Sequence, residues 1–179
     1  LGLVMLIFVG ISEGRSWSID GTRYGESLEL SQQDTLVLLV NERYKIPENL
    51  YIDHNVFQLA SNNMIAPDIR IYSAEGSTPT LRVQFYTQEE KPVYDNMDFN
   101  WNYKNDTLRF DNYIKLAGQW RAQRVTLTLY LPENKKVLLP SQTSQYLRNL
   151  RDFDRGVRSR LNKDKILLIM QDGKLHPLM

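Results

Sequence analysis

The chain has no cysteine and only two histidines, His54 and His176. Disulfides, thiolate metal sites and a cysteine nucleophile are therefore excluded, and a multi-histidine metal centre lacks ligands. Absence of cysteine fits a reducing or an oxidising compartment equally. Phosphate loops, dinucleotide fingerprints and a G-x-S-x-G nucleophile motif are also missing, so neither a cofactor nor a small-molecule substrate is expected. No charge of one sign dominates: 22 Lys and Arg face 21 Asp and Glu, a net charge of +1. That balance gives no global reason to expect a nucleic-acid partner.

Long hydrophobic runs are scarce as well. Residues 1–11, LGLVMLIFVGI, are uncharged and almost wholly apolar, yet too few for the about 20 residues a membrane-spanning helix needs. A truncated signal sequence, a buried strand or the end of a transmembrane helix would each explain the run, and the last is the reading adopted. A first residue of Leu rather than Met agrees with a piece of a longer chain. Residues 12–34 are polar and glycine-dotted, which suits a juxtamembrane linker leading to a β-rich domain over 35–179.

What is present is an extended-chain pattern. The 179 residues are 42% apolar and 24% charged, ordinary for one folded domain with or without an appendage. In residues 124–131, RVTLTLYL, Val125, Leu127, Leu129 and Leu131 alternate with Arg124, Thr126, Thr128 and Tyr130. Strand side chains alternate with period two, so one face of this segment is buried and the other wet. Residues 35–40, TLVLLV, form an unbroken apolar run of strand length. Ile69 and Ile71 precede a turn over 76–79 and then Leu81, Val83 and Phe85, a hairpin or one corner of a solenoid coil. Phe99, Trp101 and Tyr103 share one side of a strand and read as a core stack. Asn105-Asp106 and Asp111-Asn112 are turn pairs, and Asp172-Gly173 closes the last apolar strand, ILLIM.

After Pro140 the spacing changes. Tyr146, Leu147, Leu150, Phe153, Val157 and Leu161 recur at three- and four-residue steps, which predicts an amphipathic helix over about 143–161. Its polar side carries Arg148, Arg151, Arg155, Arg158 and Arg160, a candidate contact for a partner or for anionic lipid, or simply a solvated face. Trp120 and Arg121 are a candidate pair for surface recognition; equally, the arginine stacks on the indole within the fold.

Several of these segments, in order over residues 68–176, resemble the soluble C-terminal region of phage-shock-protein C (PspC) family membrane proteins. The likeness rests on Phe99-Asn100-Trp101, Asp106-Thr107-Leu108 with Asp111 and Tyr113, Trp120-Arg121 before Gln123, residues 125–132, and Asp172-Gly173 with Leu175. The resemblance implies that the apolar run ends a transmembrane segment and that the soluble part is β-helical. It also implies a link to the envelope stress response, in a family often labelled as transcriptional regulators, although no DNA-binding motif is present. The expected fold is therefore all-β, a short right-handed β-helix or solenoid capped by the amphipathic helix, with a β-sandwich covered by that helix as the alternative.

Among the acids, four are candidates for chemistry. Asp95, Asp98, Asp106 and Asp111 could supply the two carboxylates of a glycosidase, yet each lies where Asp serves as a turn former. Asp53-His54 lacks an accompanying nucleophile, and Asn105-Asp106-Thr107 matches the glycosylation triplet. The expectation is a non-enzymatic domain anchored to the cell (inner) membrane, on its extracytoplasmic face, that contacts a protein partner or self-associates. A structural or adhesive module and a polysaccharide-acting enzyme are the alternatives. Arg15 and Arg23 give too small a basic bias to fix the side of the membrane.

Overall fold

A computed structural model describes residues 22–44, 52–53, 56–57, 64–87, 97–117, 123–149, 153, 157, 160–161 and 165–178. Strands dominate: β1 (Thr22–Glu29), β2 (Thr35–Asn41), β3 (Ile52–Asp53), β4 (Val56–Phe57), β5 (Met64–Ile65), β6 (Asp68–Ser73), β7 (Thr80–Thr87) and β8 (Met97–Asp98). They are followed by β9 (Trp101–Lys104), β10 (Thr107–Asp111), β11 (Ile114–Leu116), β12 (Arg124–Leu131), β13 (Lys136–Leu139), β14 (Ile166–Gln171) and β15 (Lys174–Pro177).

Successive passes of the chain stack on one another. One sheet has the order β15-β14-β13-β2-β10-β9 and another β1-β7-β12-β6, with β5-β11-β8 between them in sequence. β2 runs parallel to β10 and β13, and β6 runs parallel to β12, so whole coils lie in register. Leu147 extends that parallel register by bridging to Ile69. The pass through β7, β8 and β9 runs the other way, antiparallel to β12, β11 and β10. The result is an open β stack with the character of a short solenoid, as the alternation in the sequence implies.

The core lies between the two larger sheets. Leu36, Leu38, Leu108, Phe110, Val137 and Leu168 point inward from one, and Ile69, Ile71, Leu81, Val83, Leu127 and Leu129 from the other, all fully buried. Trp101 and Tyr103 pack against this cluster as half-buried residues, and Phe99 is buried in it. Phe110 meets Tyr146 edge-on, with ring centroids 5.8 Å apart.

Turn chemistry matches the expected positions. Asn105 (φ 49°) and Asp106 (φ 54°) join β9 to β10, and Asp172 (φ 50°) and Gly173 (φ 72°) join β14 to β15. Two consecutive left-handed residues give the turn whose twist suits a two-residue hairpin. The Glu133 carboxylate accepts both Asp172 N–H and Gly173 N–H, fixing the second hairpin to the β12–β13 turn.

Two expectations, the helix and the linker, need correction, and a third resolves between its alternatives. The helix predicted to start near 143 is a six-residue 3-10 helix, Ser141–Tyr146, after which the backbone at Leu147 is extended and bridges to Ile69. Arg148 N–H donates to Ile69 O, and Asn149 bonds both Ile71 N–H and Ile71 O, so β6 rather than a helix takes this segment's polar groups. The apolar stripe is still inward: Leu147, Phe153, Val157 and Leu161 are all buried. Within the expected linker, β1 pairs along its whole length with β7. Of the two readings of residues 69–86, the coil corner fits and the hairpin does not, because β12 inserts between β6 and β7. Asp111-Asn112 stands, as expected of a turn pair, at the short connection from β10 to β11.

Residues 1–11 lie outside the described residues, and among the described residues no helix is long and apolar enough to cross a membrane.

Candidate functional site

Polar side chains converge at the corner where β2 and β10 end. Asn41 and Asp111 are register partners, and Asp111 N–H donates to Asn100 O in the neighbouring layer. The Asp111 side chain is almost fully buried, at 1% exposure. Its Oδ1 accepts Asn41 Nδ2 at 2.9 Å; its Oδ2 accepts Arg43 at 3.1 Å, Asn100 N–H at 2.9 Å and Asn100 Nδ2 at 3.0 Å. A carboxylate so surrounded is satisfied on both oxygens, the condition for burying a charge.

Arg43 joins this buried acid to a surface one. Its guanidinium donates to Asp98 Oδ1 at 2.7 Å and Asp98 Oδ2 at 3.0 Å, a bidentate pair, while lying 5.0 Å from the Tyr44 ring centroid. Tyr44 O–H donates to Asp98 Oδ2 at 2.6 Å. Asn112 closes the group by accepting Tyr44 N–H at 3.1 Å and donating to Tyr44 O at 2.6 Å.

The electrostatics follow from these contacts. Hydrogen bonds from Tyr44 and then from Arg43 hold the Asp98 carboxyl below its ordinary value. Those to Asp98 and Asp111 raise Arg43 further above an already high value. Burial, with the bond to Asp98, pushes the Tyr44 phenol up to about 12. A glycosidase pair needs one carboxyl with a raised value to act as acid. Here the two acids share one arginine and Asp98 is shifted downward, so the arrangement clamps three layers of the stack.

A second cluster sits at the opposite end of the same strands. Lys135, buried at the β12–β13 connection, donates to Ser31 O at 3.0 Å and also to Gln33 O. Burial lowers its ammonium value. Tyr103 O–H donates to Asp106 Oδ1 at 3.0 Å and accepts Ser31 N–H at 3.0 Å. Asp106 thus orders a turn, far along β10 from Asp111, and Asp95 lies outside the described residues.

The basic residues singled out from sequence fare differently from one another. Arg148 Nε donates to Asp68 Oδ1 at 2.8 Å, so it ties the returning chain to β6. Arg160 is exposed in a turn whose N–H bonds Val157 O. Arg151, Arg155, Arg158, Trp120 and Arg121 lie outside the described residues.

Sequence reasoning missed the outer face of the β1-β7-β12-β6 sheet. There Arg124 lies over the Tyr86 ring at 5.0 Å and Arg82 over the Tyr130 ring at 5.7 Å. Tyr72 tilts against Tyr130 at 6.1 Å. The signal was the outward half of the same period-two pattern whose inward half marks the core. On the outer face of the six-stranded sheet, Val37, Leu39, Leu138, Leu167 and Ile169 form a half-buried aliphatic band across β2, β13 and β14.

The described residues define an open, partly parallel β stack whose corner side chains bond one another. Residues 86–177, just over half of the chain, match the family model described as the ToastRack found in some PspC proteins. The chain belongs to that toast-rack family of PspC C-terminal regions, as the resemblance implied. No curated protein and no solved structure matches it.

Proposed function

We propose that this chain is the soluble part of a membrane-anchored, PspC-related envelope stress-response protein, and that it works by contacting other proteins rather than by catalysis. The observation that carries the reading is the aliphatic band on the outer face of the six-stranded sheet, where Val37, Leu138 and Leu167 are register partners, Leu39 and Ile169 lie beside them, and all five are half-buried. Apolar side chains left partly uncovered side by side on a sheet offer a partner surface to cover. The family membership supports the stress-response setting. The internal engagement of Asp98, Asp106 and Asp111 weighs against a carboxylate-based hydrolase.

On this reading residues 1–11 end a transmembrane helix, and the stack faces the extracytoplasmic side of the inner membrane, wound in the right-handed sense that parallel crossovers favour. Arg160 remains available for a lipid or partner contact near that membrane. The test is protease accessibility on intact spheroplasts carrying the full-length protein. External protease should remove the domain without lysis; survival of the domain until lysis overturns the sidedness. Crosslinking in the same cells should trap a protein partner, and a domain that crosslinks to nothing under envelope stress overturns the binding role.

A further inference from the structure

The outward rows of the four-stranded sheet can be read directly from its register. Tyr86 lies opposite Arg124, Gln84 opposite Thr126, Arg82 opposite Thr128 and Thr80 opposite Tyr130. On the other side of β12, Arg70 is opposite Thr128 and Tyr72 opposite Tyr130. Arg82 and Arg124 are exposed, and among the described residues neither has a carboxylate partner. Arg70 is 4.0 Å from Asp68, an acid that Arg148 already holds at 2.8 Å, and the buried Arg70 Nε has no acceptor among the described residues. Glu29, opposite Thr80 at the rim, is the remaining described acid on this face.

Arg82 and Arg124 are held in place by their rings, and no carboxylate among the described residues neutralises them. A guanidinium resting on an aromatic ring uses its face for that contact, and its edge keeps N–H donors in the fork that suits a carboxylate. Stacking also removes part of the rotamer freedom that a partner would otherwise have to freeze. Arg82 and Arg70 flank β12, two strand spacings or about 10 Å apart. Arg124 pairs with Tyr86, four residues along β7 from Arg82, which is about 14 Å of extended chain.

We infer that this face binds an extended acidic protein segment, with carboxylates spaced about four residues apart received by Arg82 and Arg124, and Arg70 beside them. The inference rests on the protein-binding reading above and names the chemistry of one partner. Composition favours a peptide over the other polyanions. Among the described residues this face carries arginine and tyrosine and no lysine, the make-up of protein interface centres. Nucleic acid is held by a denser line of cations along its phosphates, and anionic bilayers by clustered basic residues beside an apolar insertion.

The test uses fluorescence anisotropy of a fluorescein-labelled (Asp-Thr)6 peptide with the whole chain at low ionic strength. Saturable binding should weaken at least tenfold for the (Asn-Thr)6 counterpart and at least tenfold in the Arg82→Gln/Arg124→Gln variant, whose circular dichroism spectrum should match the parent. Equal binding of the two peptides, equal binding by parent and variant, or no binding of the acidic peptide overturns the inference. So does preferential, arginine-dependent binding of dT12 or of phosphatidylglycerol vesicles, which would reassign the face to phosphate. Should a crosslinked partner in cells survive the double substitution, the binding role stands and this face is not where it acts; loss of every partner from the parent protein removes both.

Discussion

Replacing Asp111 by asparagine tests whether the corner of the stack is a clamp. The shape is kept, but Oδ2, on which Arg43, Asn100 N–H and Asn100 Nδ2 converge, either becomes an amide donor facing three donors or flips to leave Asn41 so placed. Hydrogen bonds to a charged group contribute about 1.5–3 kcal/mol each, and donors that can rewet recover part of that. Arg43, at 36% exposure, and Asn100 can reach water, whereas Asp111 at 1% cannot. The expected net cost is therefore about 2–4 kcal/mol, between one and two such bonds. For a chain of this size each kcal/mol lowers Tm by roughly 2–4 °C, so a drop of about 10 °C is expected.

The matched control is Asp98→Asn, which removes the surface arm of the same arginine. Asp98 is 48% exposed, and surface ion pairs contribute about 0–1 kcal/mol. Urea unfolding followed by circular dichroism, with unchanged slope, reads both variants. A cost below about 1 kcal/mol for Asp111→Asn, or equal costs for the two, would refute the clamp.

Leu129, fully buried on β12, should cost about 2–5 kcal/mol when cut to alanine, measured by the same urea transition. Gly173 sits at φ 72° with open space around the position of a Cβ, so Gly173→Ala should cost about 1 kcal/mol from backbone strain alone. Tyr44, Tyr103, Tyr113 and Tyr146 all have folded values raised above the ordinary 10.0, in each case first through burial. A raised folded value gives stability that is present below 10.0 and is lost as pH climbs through the folded value. Tyrosinate absorbance should therefore rise later in the native protein than in urea, with unfolding setting in above pH 10; superimposable titrations would contradict it.

Much of the fold was legible because a single strand carries its own signal. Val125, Leu127, Leu129 and Leu131 mark the inner side of β12 through spacing alone, and Asp172-Gly173 marks a hairpin through its need for left-handed backbone. The corner clamp had no such local trace. Asn41 and Asp111 meet from 70 residues apart, and nothing in either segment states which coil will lie on which. The stripe from Tyr146 to Leu161 misled for a related reason. Apolar residues at three- and four-residue steps satisfy a helix, but they also satisfy a chain that returns to the core at irregular solenoid corners, as Leu147 and Phe153 do through isolated bridges. The aromatic-arginine face was visible as the polar half of an alternation, and reading only the apolar half passed over it.

At the central strands β2 and β12, stacking order and chain order disagree, which sets the order of folding events. β2 pairs on one side with β10, matching Val37 with Thr107, and on the other with β13, matching Thr35 with Lys136. β12 must likewise enter between β6 and β7, which precede it by dozens of residues. Neither central strand can complete its hydrogen bonds until distant chain has arrived, so loop-closure entropy is met before the pairing enthalpy is gained. The hairpins at Asn105-Asp106 and Asp172-Gly173 are local and can form early, but each presents only one edge of the stack. Refolding should accordingly take milliseconds to seconds, as for domains dominated by non-local strand pairing. Leu138→Ala in β13 should mainly speed unfolding if that strand docks last. Stopped-flow refolding within about 100 μs would mean that local contacts suffice, and that the parallel pairings are a late annealing of a structure already formed.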